Sequence, residues 1–227
     1  MILAPRHRSV VLVAFAFSLF LGLALTPPPG EGAAALLDSL RRHEVIANLT
    51  GLFRTAAAIL VVPALAAIAP AITQRGARMF GLAAALLYVG SLFGIVLFTQ
   101  MIFQNTVLTS LPDQQIALTI AQAIQASLLW QLPAIPYLVG LLVGFLLLGL
   151  AVWRAGLGRL IGAAIAGGFV LHIAGGDWFV TALAGALVLC GGLTALGLRI
   201  ARSTSADTLA PDPATKLVSG HSRPTSR

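Results

Sequence analysis

The sequence predicts an all-α fold, a polytopic helical bundle inside a bilayer, and three observations carry that prediction. Hydrophobic residues make up 58% of the 227 and charged residues only 9%, against roughly 25% charged in soluble domains. The apolar residues fall into long uncharged runs, the clearest being the 22 residues from Leu132 to Trp153. At about 1.5 Å per residue, that run matches a bilayer core of roughly 30 Å. Finally, arginines stand in pairs at the ends of the runs, as Arg154 and Arg159 do here, which is how positive charge encodes topology. The net charge of +7 therefore does not point to nucleic acid, since the basic residues form no stripe interleaved with aromatics.

Taken in order, Arg6, His7 and Arg8 precede a first apolar run, Ser9 to Leu25, which is followed by Pro27-Pro28-Pro29-Gly30. A signal peptide has this outline. No small-x-small cleavage site follows directly, Gly32-Ala33-Ala34 is a weak one further on, and the later spans favour an uncleaved first helix. Ala33 to Leu40 is rich in helix formers, with Leu36, Leu37 and Leu40 on one face. It reads as a short amphipathic helix climbing into the second span, Thr55 to about Ile72. Pro63 and Pro70 lie in that span; membrane helices tolerate proline where neighbours satisfy the freed carbonyl. Arg75 and Arg78 close it. The third span runs from Phe80 to Phe103, with Gln100, Gln104 and Asn105 at its exit and Pro112-Asp113 as a turn.

Residues 114–131 decide the span count. Ile116, Ile120, Ile124 and Leu128 recur every four residues, with Gln115, Gln122 and Gln125 toward the other side: an amphipathic helix rather than a lipid-facing one. If this segment stays outside, Arg6, Arg8, Arg75, Arg78, Arg154, Arg159, Arg199 and Arg202 share the cytoplasmic side. If it crosses, the last four move out and the bias reverses. The positive-inside rule prefers the first arrangement. Tyr137 and Trp153 flank the fourth span, Leu132 to Trp153, as interfacial rings. The fifth, Leu160 to about Gly175, is short and rich in glycine and alanine. Gly176-Asp177-Trp178 makes a tight outer turn, and the sixth span runs from Trp178 to Ile200. The expected architecture is six transmembrane helices plus an extracytoplasmic amphipathic helix over 114–131. Residues 1–202 form the membrane domain, and 203–227 form a disordered cytoplasmic tail of Ser, Thr, Pro and charge.

Few residues suggest chemistry. All seven acids, Glu31, Asp38, Glu44, Asp113, Asp177, Asp207 and Asp212, fall in loops or the tail, which weakens an ion-coupled transport reading. His172 is the one histidine inside a span. With only His43 able to meet it, no haem or metal set is expected, and His172 reads as a helix-end residue bonded to a backbone carbonyl or water. The single Cys190 reads as a packing residue. No nucleotide, metalloprotease or nucleophile-elbow motif occurs, and Asn48-Leu49-Thr50 has no meaning as a glycosylation site in a bacterial protein. Thirteen arginines against one lysine suggest a GC-rich bacterial genome. Gly90-x-x-x-Gly94, Gly140-x-x-x-Gly144, Ala163/Gly167 and Ala182/Ala186 have small-residue spacing and read as internal packing rather than dimerisation.

Arg54 stands at the outer start of the second span. Its simplest reading is a side chain snorkelling to outer headgroups; the functional one is an anion or lipid-headgroup contact. Together with Gln100, Gln104, Gln122, Gln125 and His172 it outlines a candidate ligand-binding outer cavity. The layout also resembles a family of bacterial six-helix membrane proteins that carry a domain of unknown function. The likeness rests on LFRTAAAILVV (Leu52 to Val62), on YLVGLLVGFLLLGLAVWRAGLGRLIGAAIAG (Tyr137 to Gly167) after a polar segment, and on the closing hairpin. It covers residues 9–200, implies six helices, and implies no activity and no site residues. The reading is an integral protein of the cell membrane with both termini cytoplasmic. It acts without catalysis, metal or cofactor, through the lipid bilayer, anionic headgroups or a protein partner. The alternative is a small-molecule transporter or channel with an outer polar vestibule; an intramembrane enzyme comes third.

Overall fold

The computed structural model describes residues 5–26, 32–72, 74–128, 132–175 and 179–209. Its helices are α1 (Pro5–Ala24), α2 (Gly32–Arg42), α3 (Glu44–Ile68), α4 (Gln74–Ser110), α5 (Gln114–Ala126), α6 (Ala134–Arg154), α7 (Arg159–Ala174) and α8 (Phe179–Leu209). No strand occurs among the described residues. Five segments are long and apolar enough to cross a bilayer: His7–Ala24, Glu44–Ala71, Arg75–Ser110, Ala134–Arg154 and Val180–Arg202. α7 is apolar but has 16 residues. The chain has the build of a multi-pass membrane protein.

The ends of these helices follow from local chemistry. His43 leaves helical geometry (φ −125°, ψ 32°) and separates α2 from α3. Arg41 and Arg42 fill the last turn of α2, where cations complement the carbonyl end of the helix dipole. Arg41 Nη2 also donates to Leu111 O at 2.9 Å. Pro63 sits within α3, and Pro70 lies in a 3₁₀ turn, Ala69–Ala71, that ends the second span. The Asp113 carboxylate accepts from Gln115 N (2.8 Å) and Ile116 N (3.2 Å) and so caps α5, satisfying two orphan donors. Between α6 and α7, Gly156 (φ 76°) and Gly158 (φ 130°) adopt the left-handed backbone that glycine tolerates best.

Several boundaries differ from the sequence expectation. The second span begins at Glu44, not Thr55, because Thr50 and Arg54 turn their polar groups onto α1 rather than breaking the helix. α4 extends the third span at both ends, to 37 residues, or roughly 55 Å. α5 ends at Ala126, and residues 129–131 of the expected segment lie outside the described residues. Its buried face is Ala117 and Ala121, while Ile116 is 51% exposed; the small residues let α5 approach α2 closely. α8 continues to Leu209 through residues assigned to the tail. The rest of the tail and the turn at Gly176-Asp177-Trp178 lie outside the described residues.

The long helices and α7 close a ring. α1 packs on α3, α3 on α4, α4 on α6, α6 on α7, α7 on α8, and α8 returns to α1. Successive members run antiparallel. Gly90 meets Gly140 while Gly94 meets Tyr137 and Gly144 meets Leu87; likewise Gly192 meets Ile165, Gly168 meets Leu189, and Gly175 meets Ala182. Gly76 lies against Ala151, Gly158 against Arg199, and Gly197 against Leu12. These contacts gather Arg8, Arg75, Arg78, Arg154, Arg159, Arg199 and Arg202 at one end, the basic end. The opposite end carries α2 and α5, which share a small core of Ala33, Leu37, Leu40, Ala47, Leu108, Ala117 and Ala121.

Inside the ring, Leu12, Phe145, Leu148, Val152, Ile165, Leu189, Leu193 and Leu196 are buried. Outside it, Phe17, Ile59, Leu82, Val96, Val139 and Leu187 are exposed, an apolar surface of the kind lipid chains cover. Lipid is as apolar as leucine, so close van der Waals contact holds such helices together. The two GxxxG pairs do this jointly: a Cβ on Gly140 would stand 2.8 Å from Gly90 Cα and from Leu86 O. They are internal packing, as the spacing predicts. On α7 the packing glycine is Gly168, against Leu189 and Gly185, whereas Gly167 meets nothing within 4 Å. The Ala163/Gly167 pair is one residue out of phase with the α8 interface.

Candidate functional site

Four helices present one face each to a common cavity. α1 gives Phe15, Leu19 and Leu23; α3 gives Arg54, Ala57, Ala58 and Val61; α4 gives Ser91 and Phe98; α6 gives Tyr137, Leu141 and Phe145. The spacings of three, four and seven are those of single helix faces. α1 and α6 do not pack closely on one another, which leaves space between them inside the ring. The cavity is partly open, with a volume of about 30 Å³, room for about two water molecules. Phe98 meets the Tyr137 ring edge-on, with centroids 5.2 Å apart, and Phe145 meets Phe169 at 4.8 Å.

Arg54 is the charged member of this lining. Its guanidinium is turned inward to the last turn of α1 instead of outward along its own helix. Nε donates to Gly22 O at 2.8 Å and Nη2 to Thr26 Oγ1 at 2.7 Å. Thr26 Oγ1 in turn donates to Gly22 O at 3.2 Å. Thr50, one turn earlier on α3, donates to Leu25 O at 2.8 Å and to Ile46 O at 2.9 Å. The carbonyls at the end of a helix have no intrahelical partner, and they carry the negative end of its dipole. Arg54 thus finds acceptors and partial negative charge without an acid. Gly22 makes the approach possible, since a Cβ there would come within 2.7 Å of Arg54 Cγ. The Phe98 ring lies under the cation, 5.6 Å from Cζ, within cation–π range.

These bonds use two of the five guanidinium N–H donors. Nη1 has no protein acceptor among the described residues, and no carboxylate there forms an ion pair with Arg54. Glu44, at the start of α3, accepts from Thr109 Oγ1 at 3.0 Å; Asp177 lies outside the described residues. The ion pair in the described structure joins Arg42 to Asp38 on the surface of α2.

The other residues of the expected outer cavity do not line this one. Gln100 and Gln122 are exposed, and Gln104 is partly so. His172 lies on α7, with Nδ1 2.9 Å from Ala182 O; the carbonyl can only accept, so Nδ1 carries the proton. That matches its reading as a helix-end residue bonded to a carbonyl. The side chain of Gln125 lies outside the described residues. Cys190 is buried, with Sγ donating to Ala16 O at 3.1 Å. Among the described residues, no three of His, Cys, Asp and Glu gather where they could hold a metal ion.

Tyr137 and Ser91 belong to the site although the sequence does not single them out as ligand-facing. Tyr137 reads there as an interfacial ring, and Ser91 as one more residue of an apolar run. The signal for Tyr137 was its register: with Leu141 and Phe145 it forms a four-residue repeat on one helix face, and the buried Leu148, three residues on, continues that face. Ser91 Oγ donates to Tyr88 O at 2.7 Å, leaving its oxygen free to accept. The Tyr137 hydroxyl has no hydrogen-bond partner among the described residues, and the ring is close enough to Arg54 for the two to interact electrostatically. No family model, curated protein or solved structure matches the chain.

Proposed function

We propose that the chain is a six-span, non-enzymatic protein of the cell membrane, both termini cytoplasmic, that acts through an anionic lipid held at Arg54. One observation carries this reading: a guanidinium in the lining of an apolar cavity, with donors left over and no acid paired with it among the described residues. Charge inside a membrane costs roughly 2.5–3.5 kcal/mol at the centre of a span and less near the interface. The dipole and carbonyls of α1 offset part of that cost. The remaining donors favour an oxyanion, which an arginine fork holds through paired bonds.

A transporter or channel with an outer polar vestibule is less well supported. The cavity walls are apolar, and Gln100, Gln104 and Gln122 lie apart from it. The basic end supplies the orientation, since arginine-rich ends face the cytoplasm.

Arg54→Gln tests the reading directly. The purified wild type should gain thermal stability when phosphatidylglycerol is added to a zwitterionic lipid mixture, and the variant should not. Equal stabilisation of both proteins would remove Arg54 from any lipid site.

A further inference from the structure

Two helices of the ring outrun the other four at the outer end. Arg54 marks the level: it bonds Gly22 O, two residues before α1 ends at Ala24. Phe98 lies against both Arg54 and Tyr137, and α6 starts at Ala134. Cys190 meets Ala16 O, which puts the start of α8 within one turn of the end of α1, and Gly175 at the end of α7 meets Ala182. α3 and α4 go on, to Glu44 and Ser110, rising roughly 15 Å further. Gly51 against Ile102 and Thr109 Oγ1 on Glu44 hold them together as a two-helix stalk. On the inner side of the stalk, Ala47 and Leu108 join the small core shared with α2 and α5. On its outer side Val45 is 72% exposed, Leu49 39% and Leu52 57%. With the half-buried Ala56 and the exposed Ile59 they are spaced four, three, four and three, a heptad seam. No charge lies on it: Glu44 faces Thr109, and Arg54 is turned into the ring.

We infer that this seam is covered by α3 of a second copy of the chain, in a dimer whose two-fold axis runs along the membrane normal. The four shorter helices set the outer surface of the bilayer near Arg54, so Val45, Leu49 and Leu52 stand above it, where an apolar patch marks an interaction site. Copies inserted in one orientation bring their α3 helices together in parallel, and a two-fold axis sets each residue against its own copy. A parallel heptad seam pairs in that way, Leu49 on Leu49 and Leu52 on Leu52. An uncharged seam meets no like-charge repulsion in such a pair, and a second copy brings the matching seam already in register. Ala56 lets the two backbones draw close where they enter the membrane. Burial of the stalk residues from water drives the association. Ile59 adds only packing, since lipid is as apolar as leucine. The inference does not depend on the ligand of Arg54, which faces the interior of its own ring.

The test uses the full-length protein in native membranes, in a Cys190→Ala background, with Leu49→Cys, Leu52→Cys or Phe103→Cys added singly. Phe103, 70% exposed, stands on the other helix of the stalk and off the seam. A disulfide needs Cα atoms within about 7 Å. Mild copper-phenanthroline oxidation should therefore link Leu49→Cys and Leu52→Cys into pairs and leave Phe103→Cys largely single. When two differently tagged copies are co-expressed, the linked pair should contain both tags. Leu52→Glu sets two carboxylates face to face and should weaken dimerisation of the purified protein, read by light scattering in mild detergent, by at least about tenfold. Leu52 lies outside the fold of the single copy, so the variant should still melt cooperatively. The absence of a self-linked pair at both seam positions would overturn the inference, whether those cysteines react freely with a soluble thiol reagent or are shielded by a different protein. Equal linking of Phe103→Cys would overturn it too, because chance collision would then account for the seam pairs. So would a Leu52→Glu protein as dimeric as the wild type.

Discussion

An arginine in an apolar bundle is held by whatever negative charge the backbone supplies, and here that is the carbonyl end of α1. Arg54 was conspicuous in the sequence because it begins a span. Its direction was not, because the acceptors, Gly22 O and Thr26 Oγ1, lie 32 and 28 residues away, at and just beyond the end of another helix. The glycines teach the same lesson. A GxxxG spacing was visible at both Gly90/Gly94 and Gly140/Gly144, yet nothing in either run says that the two face each other. Gly140→Ala would push a methyl group against the Gly90 and Leu86 backbone, which cannot swing aside. It should cost about 1–3 kcal/mol of stability, as overpacked cores do. Gly167→Ala is the contrast. It has nothing within 4 Å and should be neutral, or stabilising by up to about 1 kcal/mol through helix propensity. Melting of the two purified variants in one detergent decides; comparable losses would mean that the α4–α6 contact is looser than the Cα approach indicates.

At the scale of elements, α5 shows how far periodicity goes. The segment was legible as amphipathic, and the Pro112-Asp113 turn resolved into an N-cap. The buried face was legible only in part, because alanine is a weak hydrophobic signal. Yet Ala117 and Ala121 are what let α5 settle on α2, while Ile116 is left at the edge. Cysteines placed singly at Gln115 and Gln122 in a Cys190→Ala background should react with an impermeant thiol reagent added outside whole cells. A cysteine at Ala121 should react only after denaturation. Protection of both glutamine positions would mean that α5 lies deeper than the α2 contact places it. Asp113→Ala removes the cap and should cost about 1 kcal/mol, speeding amide exchange in the first turn of α5. α7 was legible as short and apolar, but its partner face was misread by one residue, Gly167 for Gly168. Both glycines fit a helix interface equally well until α8 is in place.

For the whole molecule, the remaining question is whether α7 crosses the bilayer. Its 16 residues reach about 24 Å, a few ångströms short of a core of roughly 30 Å. Local thinning and snorkelling of flanking residues accommodate such a mismatch at modest cost, and Arg159 stands at the first residue of α7 to provide the second. The ring adds a stronger argument. α7 runs alongside α8 from Gly192 to Ala182, and α8 is long enough to span. A helix that follows a spanning neighbour over that length cannot stop halfway without leaving the small residues of α8 open to lipid. If α7 did not cross, Arg199 and Arg202 would lie on the opposite side from Arg154 and Arg159, yet Arg199 Nη2 reaches to within 3.5 Å of Gly156 O in the α6–α7 turn. Reporter fusions after Arg78, Arg159 and Arg202 should therefore read cytoplasmic, and fusions after Asp113 and Asp177 external. The Arg202 fusion is the discriminating one: an external signal there, with Arg159 still cytoplasmic, would mean that α7 turns back inside the membrane, and the ring would then have to open at the α6–α7 and α8–α1 contacts.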